Sequence, residues 1–166
     1  MTGVIRYRVV PTRSKIWIDA RSNVHPIHST ADGLEGFVEY DDAGSLAAAE
    51  LSFPVKKLTS GNPLERRELQ KRIDAAHYPT INGVLTSAEP LAAEGAFRLR
   101  GDLTFRGVTR SVEGDIEITS VDDRTVRLAG ASTFDIRDFG MDPPRVLVLR
   151  VEPDVKVRIE IIAERL

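Results

Sequence analysis

Most of the chain alternates between apolar and polar residues with a period of two, the pattern of a β-strand that buries one face. The clearest run spans residues 97–105, where phenylalanine, leucine and glycine share one parity and arginine, aspartate and threonine take the other. The same alternation recurs at 112–118 and 155–161, and in weaker form at 4–10, 15–21, 34–41, 46–55, 80–88 and 124–136. Strands with one polar face are typical of antiparallel sheets, because parallel sheets are buried on both faces.

One segment follows a helical period instead. Leu69, Ile73 and Ala76 recur at helical spacing among charged residues. Asn62 is a favourable capping residue, and Pro63 suits the first helical position. The spacing predicts one short amphipathic α-helix over about 62–76, which ends before Pro79 because the residue before a proline disfavours helical geometry.

About eight strands and one helix suffice to close a small barrel, and closure removes the exposed strand edges. A barrel of about eight strands is near the size that holds one small ligand. No repeat or linker divides the 166 residues, so we expect a single domain over 1–166. The pattern therefore predicts an all-β fold, an antiparallel barrel or sandwich with a helix on one side. It does not identify a ligand.

Charge and composition argue against several function classes. The 23 Lys and Arg residues are interleaved with 25 Asp and Glu, and the net charge of −2 offers no general attraction to nucleic acid. The absence of cysteine excludes disulfides and thiolate metal sites. No run approaches the roughly 20 apolar residues of a membrane-spanning helix. Arginines at 6, 8 and 13 interrupt any signal-peptide core, so we expect a cytoplasmic protein if the sequence is full length, and a periplasmic or secreted one if a leader was trimmed.

Candidate catalytic and metal sites are few. His25 and His28 are three residues apart, which places them on opposite faces of a strand, and no third ligand is evident nearby. We interpret them as two loop histidines. The Asp pairs at 41–42 and 122–123 suit turns, and neither a G-x-S-x-G nor an H-E-x-x-H motif is present. We predict no catalytic residues, no metal, no cofactor and no enzymatic activity.

Three segments carry a recognisable order of motifs. Residues 99–112 read LRGDLTFRGVTRSV, residues 69–81 include Asp74 and the run YPTI, and residues 134–141 read FDIRDFGM. Residues 7–18, with Ser14, form a fainter fourth match. Together these segments resemble the YceI-like family of lipid-binding proteins. The sequence departs from the family pattern at 22–29, at Asn82-Gly83, and in the spacing before Asp138.

This resemblance implies a lipocalin-like antiparallel β-barrel of about eight strands with one short helix. Members of the family bind long isoprenoid chains, such as polyprenyl lipids and isoprenoid quinones, inside the barrel, and are often dimers. The resemblance therefore implies non-enzymatic carriage or sequestration of an apolar lipid, and a possible homodimer. For the Asp138-Phe139-Gly140 segment itself we expect a structural role, with Arg137 or Asp138 bridging strand ends and Phe139 covering one mouth of the barrel.

The residues expected to line the ligand tunnel share the inward parity of their strands. They are Ile16, Ile18, Val38, Leu51, Phe53, Leu85, Phe97, Leu99, Leu103, Phe105, Val112, Ile116, Leu128, Phe134, Ile136, Val157 and Ile159. Trp17 and Phe37 conflict in parity with their apolar neighbours and are weaker candidates. Glycines at 101, 114 and 130 either leave room for a chain or permit the strands to coil.

Two other functions remain open from the residues. A barrel with a closed core can serve as a protein-interaction or stress-response module without a ligand. Hydrolysis or isomerisation of a small apolar substrate is a weaker alternative, because no catalytic constellation is recognisable in the chain.

Overall fold

The computed structural model describes residues 3–41, 44–59, 63–143, 145–146 and 148–166. One α-helix, α1 (Pro63–Ile73), lies in this part of the chain, together with 3-10 turns at Pro11–Arg13, Val55–Lys57 and Ile136–Phe139. The strands are β1 (Val4–Val9), β2 (Lys15–Ser22), β3 (Ile27–Ala31), β4 (Glu35–Asp41), β5 (Leu46–Pro54), β6 (Thr80–Pro90), β7 (Ala96–Phe105), β8 (Val108–Asp122), β9 (Thr125–Asp135), β10 (Arg145–Val146) and β11 (Leu149–Arg165).

The strands form a closed antiparallel barrel, which confirms the predicted fold class. Eight of them follow one another around it in the order β1-β4-β5-β6-β7-β8-β9-β11, and β11 pairs with β1 to complete the circuit. The closing ladder joins Tyr7 to Arg165, and Val9 to Ala163. β2 pairs with β11 over residues 151–160, and β3 pairs with β2. The long last strand therefore holds both β1 and β2.

Ser14 organises the corner between β1 and β2. The chain bends through the Pro11–Arg13 turn, and the Val10 amide donates to the Ile162 carbonyl at 2.8 Å. The buried Ser14 hydroxyl donates to the Val10 carbonyl at 2.9 Å and accepts from the Ile162 amide at 3.1 Å. This one side chain satisfies backbone groups that the bend removes from the β-ladder.

The helix ends at Ile73, three residues before the predicted end, and Asn62 lies outside the described residues. Asp74 adopts a left-handed conformation with φ of 57°. The amides of Asp74 and Ala75 then donate to the carbonyls of Lys71 and Gln70, at 3.1 and 3.2 Å. This Schellman arrangement satisfies the last helical carbonyls, so the helix stops there and Ala76 lies exposed beyond it.

The alternation did not predict β3 or β10. In β3 the buried positions are Ser29 and Ala31, so small residues replace the large apolar ones that would have shown the period. His28 consequently lies on a strand, and the interpretation of both histidines as loop residues was wrong for it. β10 is only two residues long, too short for a periodic signal.

One end of the core lies where β1 meets β11. Val9, Val38, Ile161 and Ala163 are almost completely buried there. The opposite end is closed by Phe139 and Met141, both buried, with α1 beside them. The inward side chains of Leu99 and Leu103 in β7 and of Val112 in β8 are only half-buried, because empty space lies between these two ends.

Candidate functional site: a cavity inside the barrel

A cavity of about 210 Å³ lies inside the barrel, and strands β5 to β9 and β11 form its wall. Its lining is dominated by apolar side chains, among them Leu51, Leu85, Leu99 and Leu103. The bordering charged residues, such as Arg100 and Asp102, belong to the opposite parity and are exposed. The cavity therefore presents an apolar surface to whatever occupies it.

The residues predicted from inward parity fall into three groups. Nine line the cavity: Leu51, Leu85, Leu99, Leu103, Val112, Ile116, Phe134, Val157 and Ile159. Three are fully buried in the core away from it: Ile16, Val38 and Leu128. Five are half-buried and pack against that core: Ile18, Phe53, Phe97, Phe105 and Ile136. Contact between any of these residues and a ligand stays a prediction.

Small residues that the parity argument left out of the predicted lining also border the cavity. Gly83 and Ala49 do so, and a Cβ added at Gly83 would find its nearest neighbour, Leu103 Cδ1, only at 4.0 Å. At Gly130, by contrast, an added Cβ would lie 2.6 Å from Ile116 Cγ2 and 2.7 Å from the Asp115 carbonyl oxygen. Gly83 leaves space for an occupant, whereas Gly130 permits close approach of β8 and β9.

An aromatic pair closes the barrel on the side of α1. The rings of Phe105 and Phe139 pack edge to face, with centroids 5.7 Å apart and an interplanar angle of 75°. Phe139 is only 4% exposed, so it covers this end as predicted. Edge-to-face contact is a favourable arrangement of aromatic rings, and it fixes the position of the covering side chain.

Arg106 links two chain segments at this end of the barrel. The sequence had suggested such a link for Arg137 or Asp138. Arg137 instead pairs with Asp135, two residues away, at 2.7 Å. The Arg106 guanidinium reaches from the β7–β8 turn to the Gly140 carbonyl, at 2.5 Å. Arg106 and Gly107 both have positive φ, as a type I′ hairpin turn requires, and the glycine made a turn predictable here. Its contact with a segment 34 residues away had no sequence signal.

Comparison with known proteins agrees with this geometry. A model of the YceI-like domain matches residues 7–163. The chain belongs to the YceI-like family. Among curated proteins, none matches the sequence.

Three solved structures share the YceI-like fold at low identity. Burkholderia cenocepacia BcnA has a TM-score of 0.81 at 17% identity, covering 93% of this chain and 98% of that structure. A polyisoprenoid binding domain from Saccharophagus degradans, implicated in plant cell wall breakdown, scores 0.78 at 12% identity, with coverages of 96% and 98%. The Campylobacter jejuni YCEI protein scores 0.69 at 17% identity, with coverages of 82% and 83%. These likenesses show the fold.

Two aromatic residues of this YceI-like barrel lie on its outer face, as their parity indicates. Trp17 is flanked by the cations of Lys15 and Arg158, at 5.9 and 5.1 Å from the ring centroid. The Arg6 guanidinium lies 3.8 Å over the ring of Phe37. Such cation–π contacts hold the rings against the outer wall.

The outer face of β7 and β8 carries a ladder of ion pairs. Arg98 pairs with Asp115 at 2.9 Å, and Arg100 pairs with Glu113 at 2.8 Å, each with the residue directly opposite. The hydrogen bond from Arg98 holds the pKa of Asp115 below its usual range. Charges of both signs are thus matched on the solvent side of the strands whose inner side lines the cavity.

Tyr40 is a buried polar group on the inner face that sequence reasoning did not single out. Its ring packs edge to face on Tyr7, with centroids 5.5 Å apart. Its hydroxyl is buried and, within the described residues, finds no hydrogen-bond partner. Burial, followed by the influence of Tyr7, raises the pKa of Tyr40 well above its ordinary value.

The two histidines considered as a metal pair have separate partners. His25 Nε2 lies 3.4 Å from Glu65 Oε1, and His28 Nδ1 lies 2.7 Å from Asp19 Oδ1. Across the described ranges, no group of three or more His, Asp or Glu side chains is placed to hold a metal ion.

No helix in the described ranges is long and apolar enough to span a bilayer.

Proposed function

We propose that this protein binds an apolar lipid chain of the isoprenoid type, a polyprenyl chain or the tail of an isoprenoid quinone, inside its barrel. Its role is carriage or sequestration, without catalysis. The observation that supports this proposal is the half-buried state of inward leucine and valine side chains around the 210 Å³ cavity. Covering such surface with a lipid chain is favourable by roughly 25 cal/mol per Å².

The lining of the cavity suits a bound apolar ligand better than a substrate that undergoes catalysis. Among the inward side chains that border the cavity, Ser132 is the polar one, and its hydroxyl donates to the Glu113 carbonyl at 2.8 Å. General acid–base catalysis needs a titratable group within hydrogen-bonding reach of a substrate. Membership of the YceI-like family and the similarity to a polyisoprenoid binding domain also support a binding role.

The size of the cavity bears on how a lipid is held. Its 210 Å³ is below the roughly 300–1,000 Å³ of typical small-molecule pockets. A short stretch of a linear chain fits in this volume. A longer tail would extend beyond this volume. A narrow, flexible chain is the apolar ligand class best suited to such a cavity.

Native mass spectrometry of the purified protein tests this proposal. We expect an additional mass that disappears after extraction with organic solvent, and the extract should contain an isoprenoid. Wild-type protein with no additional mass, before or after incubation with an isoprenoid quinone, would overturn the proposal and favour the barrel with a closed core.

A cavity-filling variant makes the test specific. Gly83→Leu places its side chain in the cavity, where an added Cβ meets nothing closer than 4.0 Å. We expect this variant to fold and to retain much less lipid than wild type. Val121→Leu adds apolar volume at an exposed position that does not border the cavity and serves as the control. Equal retention by both variants would contradict binding at this cavity.

A further inference from the structure

Three large apolar side chains are exposed at the end of the barrel that carries α1. Val24 lies in the β2–β3 turn and is 57% exposed, and Leu64 lies in the first turn of α1 and is 51% exposed. Val148 lies in the turn between β10 and β11 and is 79% exposed. Each is at the tip of a different segment, so none packs in the core that stabilises its own element.

Two hydrogen bonds link the β2–β3 turn to the start of β11, and a close approach of two side chains links the same turn to α1. The Asn23 side-chain amide donates to the Val148 carbonyl at 2.9 Å, and its oxygen accepts from the Arg150 amide at 2.6 Å. On the other side of Val24, His25 Nε2 lies 3.4 Å from Glu65 Oε1 in α1. We call the surface formed by Val24, Leu64 and Val148 the apolar tip.

Positive charge is concentrated around the apolar tip. The segments 21–28, 63–73 and 145–150 contain seven of the 23 Lys and Arg residues but only two of the 25 Asp and Glu residues. Arg66, Arg67 and Lys71 of α1 are exposed. Because the whole chain has a net charge of −2, these three segments differ in sign from the rest of the chain.

We propose that the apolar tip and its surrounding cations dock on an anionic lipid bilayer. Apolar side chains on a basic surface enter the boundary between head groups and acyl chains, while the cations are attracted to anionic lipids. A second copy of this chain is a poorer occupant, since the same basic cluster would face itself across a symmetric interface. Docking adds a lipid source to the proposed function, but it does not require a ligand in the cavity.

Sedimentation with vesicles tests the proposal. The wild-type protein should co-sediment with vesicles of 70% phosphatidylcholine and 30% phosphatidylglycerol, and much less with phosphatidylcholine alone. Binding should weaken as salt is raised, because exposed charges are screened. Arg66→Gln with Arg67→Gln should lower the partition coefficient by about fivefold for each arginine removed. Val24→Ser, Leu64→Ser and Val148→Ser combined should abolish binding, and their exposure keeps folding intact.

Matched controls address non-specific attraction. Val4→Ser with Val121→Ser replaces exposed valines elsewhere on the barrel, and Arg8→Gln with Lys156→Gln removes two exposed cations there. Both controls should bind vesicles like wild type. The proposal is overturned if the controls lose as much binding as the tip variants, or if the wild-type protein does not co-sediment with anionic vesicles. It is also overturned if light scattering shows a dimer that the triple serine variant makes monomeric.

Lipid retention and vesicle docking are separable in these experiments. The Gly83→Leu variant should lose retained lipid yet still sediment with anionic vesicles. The triple serine variant should show the reverse. Failure of one proposal is therefore visible without failure of the other.

Discussion

The guanidinium of Arg106 donates a 2.5 Å hydrogen bond to the carbonyl oxygen of Gly140, the residue that follows the buried Phe139. Arg106 lies at the tip of the β7–β8 hairpin with φ of 54°, a left-handed conformation that is unusual for arginine. The contact joins the hairpin to the segment that covers the barrel, and it holds Phe139 against Phe105.

Replacing Arg106 by Asn should destabilise the protein by about 1–2 kcal/mol, because asparagine tolerates the left-handed backbone but loses the charged hydrogen bond. Urea denaturation measures this change. Arg110→Asn is the control, since its guanidinium donates to the neighbouring Thr109 carbonyl on the surface. A loss of stability at Arg110 equal to that at Arg106 would argue against the contact with Gly140 as the cause.

Two glycines that border the cavity should respond oppositely to the same change. Gly130→Ala forces a methyl group against Ile116 and the Asp115 backbone, and we expect a loss of about 1–3 kcal/mol. Gly83→Ala meets open space and should be neutral or stabilising by about 0.5 kcal/mol, since alanine restricts the unfolded chain. Thermal unfolding of the two variants side by side checks the contrast. Equal effects at both positions would refute the different roles assigned to them.

Tyr40→Phe should stabilise the protein by about 1 kcal/mol, because it removes a buried hydroxyl that lacks a hydrogen-bond partner. Spectroscopic titration provides a second readout. Burial raises the pKa of Tyr40, so one of the three tyrosines should remain protonated at alkaline pH while the barrel stays folded. That late titration should be missing in Tyr40→Phe and present in Tyr7→Phe. Its presence in both variants would contradict the assignment.

His77 should titrate above its ordinary pKa of 6.5, because it hydrogen-bonds to the Asp74 carboxylate at 2.8 Å. A raised pKa in the folded state means that the protonated form stabilises the fold below pH 6.5, and that this contribution is lost as pH rises through the folded pKa. NMR titration of the His77 ring measures the shift. Asp74→Asn keeps a residue that tolerates left-handed φ and should return the midpoint toward its ordinary value. An unchanged midpoint would exclude Asp74 as the cause.

The sequence predicted the barrel well because a closed antiparallel sheet repeats one simple pattern along nearly every strand. The run Phe97, Leu99, Leu103, Phe105 specified the inner face of β7, and the structure places each of these side chains within or beside the core. Parity also distinguished Trp17 and Phe37, whose rings lie outside under cations. In both cases the information needed was local.

The features that were missed depend on contacts between distant residues. Gly83 and Gly130 look alike in the sequence, and only the structure shows that an added side chain would enter open space at Gly83 but would meet strand β8 at Gly130. The bond from Arg106 to Gly140 likewise depends on how two loops meet. The helix ended early because of the backbone conformation of Asp74, for which a proline five residues later gave only an approximate boundary.

The shared edge of β11 also dictates the order in which this molecule can assemble. β1 lies near the start of the chain, yet its closing partners are Ala163, Glu164 and Arg165. During synthesis, the strands that precede β11 can form only an open, curled sheet. Its two free edges, β1 and β9, stay unpaired until β11 joins them. Pairing across almost the full length of the chain is slow, because loop-closure entropy is lost before the contacts form. Until then the future lipid cavity is an exposed apolar groove, so the nascent protein needs protection from aggregation at the stage just before its last strand joins.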